Sequence, residues 1–395
     1  MKVCVICFDF KESNIRRQPW RYIYELCKGI ISQNIDLKLI SDGGQKSEED
    51  DLISGIKILR IKKLRSIFFG ETKELSKALK KENPDTVITL TGLTTFLSLR
   101  FKVDFPMIGI LTSPIYSLRD LKRLGLREIV CNFNYIFIHL IGAITPRSLI
   151  RKRINSLNYM VVLSEANRSK LKCFGVDPKK IVLIPPGIGE FDLISPDEKN
   201  VENLRREINP ENGLTIIYFG PSLTLRGTDT LIEAFVRVKN AIPSCKLLIL
   251  SRLAQNELLD QEDHIKAISE KKGVSDSVNI VSGVLKPEAV KEYISAADLV
   301  TLPFKIVISD VPMSILEAMA LGKPVISTNI DGISELLDGH GVVVEPNDSR
   351  QLSDAIITLL SDPELALGIE RRARDYMMTH HRWKETAGRF VELIQ

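Results

Sequence analysis

Two successive series of short apolar segments, each alternating with helical patterns, constrain the fold of this 395-residue chain more than any other feature. The first series predicts strands at 2–7, 36–40, 86–90, 107–111, 159–163 and 181–184. The second predicts strands at 214–219, 247–250, 278–281, 299–302, 325–327 and 342–344. Strands that alternate with helices are typical of a parallel sheet covered by helices on both faces. The sequence therefore predicts an α/β protein with two doubly wound, Rossmann-like sheets.

A polar, proline-bearing stretch separates the two series, and the chain is too long for one ordinary core. We predict a first domain over 1–190, a linker over 191–212 and a second domain over 213–380. An amphipathic helix at about 381–395 is expected to return to the first domain. Two such sheets face each other across a cleft, and ligands bind at the carboxyl ends of their strands.

The composition, 44% apolar and 26% charged, predicts a folded protein without long disordered segments. The sequence contains no run of about 18 apolar residues, so it predicts no membrane-spanning helix. The N-terminus reads as a first strand and not as a signal peptide, because Asp9, Lys11 and Glu12 follow it at once. These features predict a cytoplasmic protein, and nothing in them points to nucleic acid.

Charge is divided unevenly along the chain. Residues 1–190 hold 32 Lys plus Arg against 19 Asp plus Glu, whereas the remainder holds 22 against 31. The basic half has two interpretations: an ordinary solvated surface, or a surface that meets an anionic partner such as a membrane leaflet or a phosphate-bearing acceptor.

The cysteines give no metal site. Six are scattered over the chain, at positions 4, 7, 27, 131, 173 and 245, and most lie in apolar runs, so we expect reduced thiols. Cys4 and Cys7 have the spacing of a zinc or redox pair, but no second pair completes four ligands. We predict no metal and no cofactor.

A glycine-flanked turn follows the first strand of the second series. The segment runs from Gly220 to Gly227 and carries Arg226, and a helical pattern begins directly after it. Free backbone N–H groups and the positive end of a helix dipole suit a diphosphate, and Arg226 adds a cation. Arg252, at the end of the next strand, offers a second cation. The alternative is that both arginines are ordinary solvated side chains.

The segment from Ser314 to Ile326 carries Glu317 ahead of Ala-Met-Ala-Leu-Gly-Lys-Pro-Val. This pattern resembles the nucleotide-binding half of retaining glycosyltransferases of family 4, which have the GT-B fold. The family signature places two glutamates eight positions apart: Glu317 matches the second, and Ser309 stands in place of the first. Gly220, Arg226 and Gly227 match a second family pattern, in which Pro221 replaces an arginine.

The resemblance implies roles for these residues in binding a nucleotide-sugar. Glu317 would bind the ribose hydroxyls, and a helix starting near 310–312 would present Ser314 and backbone amides to the donor. Ser309 and Asp310 would contact the sugar, Arg226 would neutralise the leaving diphosphate, and these three are the candidate catalytic residues. The base is expected beside Gly283, Val284 and Leu285.

The first domain departs further from the family. Arg16 and Arg17 precede a predicted helix start at Pro19 and are candidates for holding a phosphate or the acceptor. Thr112 and Ser113 stand where many relatives place a histidine and are further candidates for contact with the acceptor or a phosphate. His139 lies in an apolar helix as a predicted core residue. The mechanism that the resemblance implies needs no protein nucleophile, because the departing diphosphate can itself accept the acceptor's proton.

A long apolar stretch at 129–144 has helical spacing and is followed by Arg147, Arg151, Lys152 and Arg153. It is either a buried helix of the first domain or a contact with a membrane and a lipid-linked acceptor. The sequence favours a metal-independent retaining hexosyltransferase acting in glycan biosynthesis, with a catalytically silent nucleotide-sugar-binding subunit as the alternative and an epimerase or phosphorylase as a third reading. Oligomeric state is left open.

Overall fold

The computed structural model describes residues 1–43, 48–62, 64–66, 70–71, 73–91, 105–221, 224–251, 259–283 and 285–395. These residues form two compact units. Unit 1 consists of Met1–Gly187, Ile308–Val311 and His381–Gln395, and unit 2 consists of Ile188–Val307 and Pro312–His380. The predicted linker region, 191–212, belongs to unit 2 and is partly helical.

Unit 1 is built on an eight-stranded sheet with the order β10-β9-β8-β7-β1-β2-β4-β3. Its strands, with a separate two-stranded pair β5 and β6, are β1 Lys2–Ile6, β2 Asp36–Asp42, β3 Glu48–Ile53, β4 Ile56–Ile61, β5 Arg65–Ser66, β6 Gly70–Glu71, β7 Thr86–Leu90, β8 Met107–Leu111, β9 Tyr159–Val162 and β10 Ile181–Leu183. All neighbours in the large sheet are parallel except β3, which pairs antiparallel with β4 at one edge.

The described helices of unit 1 cover this sheet. They are α1 Trp20–Ile31, α2 Lys73–Glu82, α3 Leu118–Lys122, α4 Gly125–Cys131, α5 Phe133–Ile144, α6 Arg147–Asn155, α7 Glu165–Cys173 and, after unit 2, the terminal helix Trp383–Ile394. The terminal helix packs on α1. A Cβ on Gly29 would lie 2.4 Å from that of Ala387, so glycine permits the close approach, and the Tyr22 ring meets Trp383 edge-on at 5.5 Å.

Unit 2 has a six-stranded sheet with the order β13-β12-β11-β14-β15-β16, and every pair in it is parallel. The strands are β11 Thr215–Gly220, β12 Lys246–Ser251, β13 Val278–Ser282, β14 Leu299–Leu302, β15 Val325–Thr328 and β16 Val342–Val344. Its described helices are α8 Glu190–Leu193, α9 Glu198–Ile208, α10 Thr228–Ala241, α11 Leu259–Lys271, α12 Pro287–Ala296, α13 Met313–Ala320, α14 Asp331–Leu337, α15 Ser349–Ser361 and α16 Pro363–Thr379, so the terminal helix is α17.

The predicted fold class is confirmed, because both sheets are parallel apart from the edge strand β3, and described helices connect most of their successive strands. The central strands are fully buried, which is why they read as continuous apolar runs. The prediction missed β3 and β4. Their turn, Ser54-Gly55, has positive φ at both residues, as a tight hairpin requires, but the acidic run that forms β3 does not resemble a strand.

In the described part of the chain, no helix combines the length and the apolar character needed to cross a membrane.

Candidate active site

The strand order of unit 2 reverses between β11 and β14. In an open parallel sheet, the carboxyl ends of the two strands at such a reversal diverge and leave a crevice that binds ligands. Gly220 is the last residue of β11, and Pro303 follows the last residue of β14. The predicted diphosphate turn therefore starts at this crevice.

Arg226 ends the short 3-10 turn Thr224–Arg226, and its guanidinium folds back over Gly220. A Cβ at position 220 would lie 2.2 Å from Arg226 Nη1, and the backbone there has φ +134°, so only glycine fits under the guanidinium. On its other side, Arg226 Cζ lies 5.0 Å from the centroid of the buried Phe304 ring. The Arg226 side chain is thus held between the backbone of Gly220 and the ring of Phe304.

Tyr218 completes the environment of this arginine. Its hydroxyl donates to the carbonyl of Pro221 and accepts a hydrogen bond from the Arg226 side chain. Burial raises the pKa of Tyr218, and the neighbouring Arg226 charge opposes that rise. Among the residues that the structure describes, no carboxylate lies within ion-pair distance of Arg226. A fixed cation without a counter-charge is suited to bind an anion.

The turn is held to the chain that follows β14 by backbone contacts. Gly227 adopts the left-handed conformation, with φ +77°, and a Cβ there would lie 1.8 Å from the carbonyl oxygen of Pro303. The Leu225 carbonyl accepts from the N–H groups of Lys305 at 2.9 Å and Ile306 at 3.2 Å. The position of Arg226 relative to Phe304 is therefore set by backbone and not by flexible side chains.

Lys305 is a charged residue of this region that the sequence analysis missed. Its side chain is buried, and its Nζ lies 2.6 Å from Asp229 Oδ2 in the first turn of α10. The ion pair connects the segment after β14 to the start of that helix. A lysine placed three residues after a buried strand was the available signal.

Helix α13 carries Ser314 and Glu317 on one face. Both side chains are partly exposed, whereas most of their neighbours on the helix are buried, and a spacing of three places them side by side. The Ser314 Oγ is buried and has no hydrogen-bond partner within the described residues. Because α13 leads from the end of β14 back to the start of β15, its N-terminus lies at the same edge of the sheet as Gly220.

The predicted start of this helix was slightly wrong. The helix begins at Met313 with Pro312 as its N-cap residue, and no side chain caps it. Asp310 does not cap the helix, because its carboxylate binds other residues, described below.

Gly283 lies at the carboxyl end of β13, and its N–H donates to the Ser251 carbonyl at 3.2 Å. It has φ +130°, and a Cβ there would meet no atom of the described residues within 4 Å. Leu285 is partly exposed nearby in sequence. The predicted site residues Arg252 and Val284 lie outside the described residues.

Asp310 belongs to unit 1, where it is fully buried. Its carboxylate accepts from the Ser164 hydroxyl and from Asn167 Nδ2 at 3.0 Å, and its N–H donates to the Thr112 carbonyl at 2.7 Å. Asn167 Nδ2 also donates to the Ser113 carbonyl at 3.0 Å. Two neutral donors that follow the carboxyl end of β9 therefore bind the carboxylate.

The other predicted residues of unit 1 divide into two places. Ser309 is buried beside Asp310, and its hydroxyl donates to the Val311 carbonyl at 3.3 Å. Arg16 and Arg17 are exposed in the loop before α1, after the carboxyl end of β1. The structure thus groups Ser309, Asp310, Thr112 and Ser113, and places the two arginines in another loop of the same unit. Ser164 and Asn167 were missed by the sequence analysis, although Ser164 is a recognisable N-cap of α7.

His139 is a core residue, as predicted. It is buried, its ring meets Tyr116 edge-on at 5.0 Å, and burial lowers the pKa of His139 to about 4. Four of the five cysteines with described side chains are buried, and burial raises the pKa of Cys4 and of Cys245 to about 12. The described residues contain no group of three or more His, Cys, Asp or Glu side chains placed to hold a metal ion.

Solved structures share this architecture. Sucrose-phosphate synthase from Thermosynechococcus elongatus matches with a TM-score of 0.75 at 17% identity, covering 99% of this chain and 98% of that one. HepE from Anabaena, solved in complex with UDP and glucose, matches with a TM-score of 0.70 at 17% identity, covering 99% and 98%. At this identity the likeness establishes the fold alone.

Among curated relatives, a GDP-mannose-dependent alpha-(1-6)-phosphatidylinositol monomannoside mannosyltransferase of Mycobacterium tuberculosis is 23% identical over 256 residues. The match covers 63% of this chain and 64% of the relative, a little under two thirds of the relative's length.

Two family models match the chain in succession. The model described as Glycosyltransferase Family 4 matches residues 20–189, and the model described as Glycosyl transferases group 1 matches residues 200–376. Only the two ends and residues 190–199 lie outside the two matches. With two parallel-sheet units and the pattern around Glu317, the chain belongs to the family 4 glycosyltransferases of the GT-B fold.

Proposed function

We propose that this chain transfers a sugar from a nucleotide-sugar donor to an acceptor hydroxyl with retention of anomeric configuration. The donor's diphosphate binds at the carboxyl edge of the unit 2 sheet, on Arg226 and the N–H groups that lead into α10. Glu317 accepts hydrogen bonds from the ribose hydroxyls. The mycobacterial relative uses a GDP-sugar and HepE binds UDP, which supports a nucleoside diphosphate as the leaving group.

The observation that carries this proposal is the oriented guanidinium of Arg226 at the crevice between β11 and β14, which has no carboxylate within ion-pair distance in the part of the chain that the structure describes. Tyr218, Phe304 and Gly220 orient this cation. A preorganised cation stabilises charge that develops on a leaving diphosphate without further reorganisation. It therefore contributes most when the bond between the sugar and the diphosphate breaks.

The transfer step follows the mechanism that the family implies. The bond from the anomeric carbon to the diphosphate oxygen breaks, and its electron pair stays on the diphosphate. The acceptor hydroxyl approaches from the same face, gives its proton to the departing diphosphate oxygen, and forms the new bond to the anomeric carbon. Positioning and charge stabilisation, supplied by Arg226 and backbone amides, are the protein's contribution. We propose that the reaction is independent of metal ions, because Arg226 takes the neutralising role.

The acceptor in this proposal is lipid-linked or a precursor of a surface glycan, used at the cytoplasmic side of a membrane. The named substrate of the mycobacterial relative is a phosphatidylinositol glycolipid, which supports that class. Arg16 and Arg17, exposed in the basic unit 1, are candidates for a phosphate of such an acceptor.

The test combines ligand stabilisation and turnover. A thermal-shift screen of UDP, GDP and ADP and their sugar conjugates should reveal one base that raises the melting temperature of the wild type, since stabilisation follows occupancy. With the matching nucleotide-sugar, slow hydrolysis should release the nucleoside diphosphate. Glu317→Ala should lower affinity about tenfold or more, because it removes hydrogen bonds to a carboxylate.

Glu211→Ala is the matched control, since Glu211 is exposed in a loop outside the site and should behave as wild type. Unchanged turnover in the presence of EDTA is expected. Failure of every nucleotide to stabilise the wild type would contradict the proposal, and binding without release of diphosphate would instead indicate a silent binding subunit.

A further inference from the structure

A cluster of exposed apolar side chains marks one region of unit 1. Of the thirteen large apolar side chains that are exposed among the described residues, five lie within the 27 residues from 118 to 144. Their exposed fractions are Leu118 44%, Val130 72%, Phe133 52%, Phe137 42% and Ile144 61%. Single exposed apolar residues are ordinary, but such a concentration indicates a surface that is covered by something.

Helix α5 has two distinct faces, one buried in unit 1 and one exposed. Ile136 and His139, three positions apart, are 1% and 5% exposed and anchor the helix on unit 1. Phe133, Phe137 and Ile144 recur at intervals of four and seven on the other side, and the two phenylalanine rings lie 5.3 Å apart. Because the buried face already fixes the helix, the fold does not explain why the outer face is apolar.

Cations border this outer face in sequence on both sides. Between positions 118 and 155 the chain has eight Lys plus Arg against two Asp plus Glu. The exposed ones with described side chains are Arg119, Lys122 and Arg123 before the apolar helices, and Arg147, Arg151 and Lys152 after them. A protein partner with an acidic rim would also fit, but apolar side chains flanked by cations are the usual composition of an element that lies in the interface of an anionic leaflet.

The dimensions favour a position in the plane of the membrane. Helix α5 has 12 residues, about 18 Å in length, whereas the hydrocarbon core of a bilayer is about 30 Å thick. With the rings of Phe133 and Phe137 inserted into the leaflet, the cations of α3 and α6 would lie near the level of the lipid phosphates.

We propose that Leu118, Val130, Phe133, Phe137 and Ile144, with the flanking cations, form a docking face for a leaflet rich in anionic phospholipid. Docking requires no donor and no transfer, so it stands apart from the proposed activity. It adds to that activity by delivering the enzyme to the surface where a lipid-linked acceptor resides.

The experiment is co-sedimentation of the full chain with vesicles, without donor. The wild type should bind vesicles of equal parts phosphatidylcholine and phosphatidylglycerol and should not bind phosphatidylcholine alone. Phe133→Ser with Phe137→Ser should lower the partition coefficient about tenfold or more. Arg119→Gln with Lys122→Gln and Lys152→Gln should lower it about a hundredfold, since each cation near an anionic surface is worth about fivefold. Raising the salt concentration should weaken wild-type binding.

Leu365→Ser with Leu367→Ser is the matched control, because these leucines of α16 are 38% and 56% exposed in unit 2 and should not affect binding. Should the phenylalanine variant not fold, Phe137→Trp provides an independent measurement: brominated lipids should quench its fluorescence above the level of the wild type.

Equal binding by the phenylalanine variant and the wild type, or no vesicle binding by the wild type, would overturn the proposal. Self-association that the phenylalanine variant abolishes, in a wild type that does not bind vesicles, would assign the face to a second copy of the chain. Loss of transfer activity with intact vesicle binding would contradict only the proposed function.

Discussion

Each sheet has a charged side chain at the carboxyl ends of its strands, and the two side chains have different surroundings. In unit 1, the Asp310 carboxylate is fully buried and is satisfied by Ser164 and Asn167. In unit 2, the Arg226 guanidinium is held by Tyr218 and Phe304, neither of which carries an opposing charge. Both edges hold a charged group at the carboxyl ends of parallel strands, but the Asp310 carboxylate is enclosed by hydrogen-bond donors, whereas the Arg226 guanidinium has no carboxylate within ion-pair distance among the described residues.

The difference teaches where binding energy resides in such a fold. A charge whose hydrogen bonds are completed internally stabilises the structure, since removing a partner leaves a buried polar group unsatisfied. A charge that is oriented but not neutralised remains available to bind a ligand of opposite charge. We therefore expect substitutions at the first edge to affect stability and substitutions at the second to affect ligand binding and turnover.

The largest effect should follow Arg226→Gln. Loss of the guanidinium should lower kcat/KM for the nucleotide-sugar about 10²–10³-fold, comparable to removal of one preorganised donor in an anion site. Steady-state release of nucleoside diphosphate measures it. Arg237→Gln, on the outer side of α10 and paired with Asp354 at 2.9 Å, serves as the control. An Arg226→Gln enzyme with wild-type kinetics would remove the basis of the comparison.

Asp310→Asn tests the other edge. The amide group would face the donors Ser164 and Asn167, and we expect the free energy of unfolding to fall by about 1–3 kcal/mol, with nucleoside diphosphate affinity unchanged. Urea denaturation and calorimetric titration measure the two quantities, with the exposed Asp263→Asn as control. A lower kcat without loss of stability would instead favour the catalytic role that the sequence suggested for Asp310.

The buried His139 of unit 1 should make the free energy of unfolding depend on pH. Burial lowers the pKa of His139 to about 4, so the unfolded chain, with a histidine pKa near 6.5, binds the proton first as pH falls. Stability from this residue is complete above about pH 6.5 and is lost as pH falls toward 4, with about 2 kcal/mol lost by pH 5. His139→Phe should flatten the fall in the urea midpoint between pH 7.5 and 5, whereas His381→Gln, at a half-exposed site, should not. The same slope in both variants would contradict this account.

The smallest effect should come from Tyr218→Phe, which removes the hydroxyl that binds Arg226. We expect a two- to tenfold loss of nucleoside diphosphate affinity, about 0.5–1.5 kcal/mol, and no loss for the monophosphate. Titration calorimetry with both ligands distinguishes this from general destabilisation, and Tyr293→Phe on α12 is the control. Equal losses for the two nucleotides would show that Tyr218 does not act through Arg226.

Much of the fold was accessible from the sequence. The strands Thr86–Leu90, Met107–Leu111, Leu299–Leu302 and Val342–Val344 were predicted at their observed bounds, because buried parallel strands are continuous apolar runs. The hairpin of β3 and β4 was not, since an edge strand can be acidic and still complete its backbone hydrogen bonds.

The site was accessible only in outline. Local spacing placed Gly220, Arg226 and Gly227 in one turn and Ser314 and Glu317 on one helix, because those relations span a few residues. The roles of Tyr218, Phe304 and Lys305 depend on how β11 and β14 lie side by side, and spacing along the chain does not encode that.

The sequence by itself determined the two sheets, the family, and the residues that share a turn or a helix face, since these follow from periodicity and short-range geometry. Only the tertiary structure decided that Asp310 is enclosed by Ser164 and Asn167, that Arg226 has no carboxylate beside it among the described residues, and that α5 has one buried and one exposed apolar face. Those properties depend on which distant residues surround a side chain, and burial and charge compensation are set by that environment.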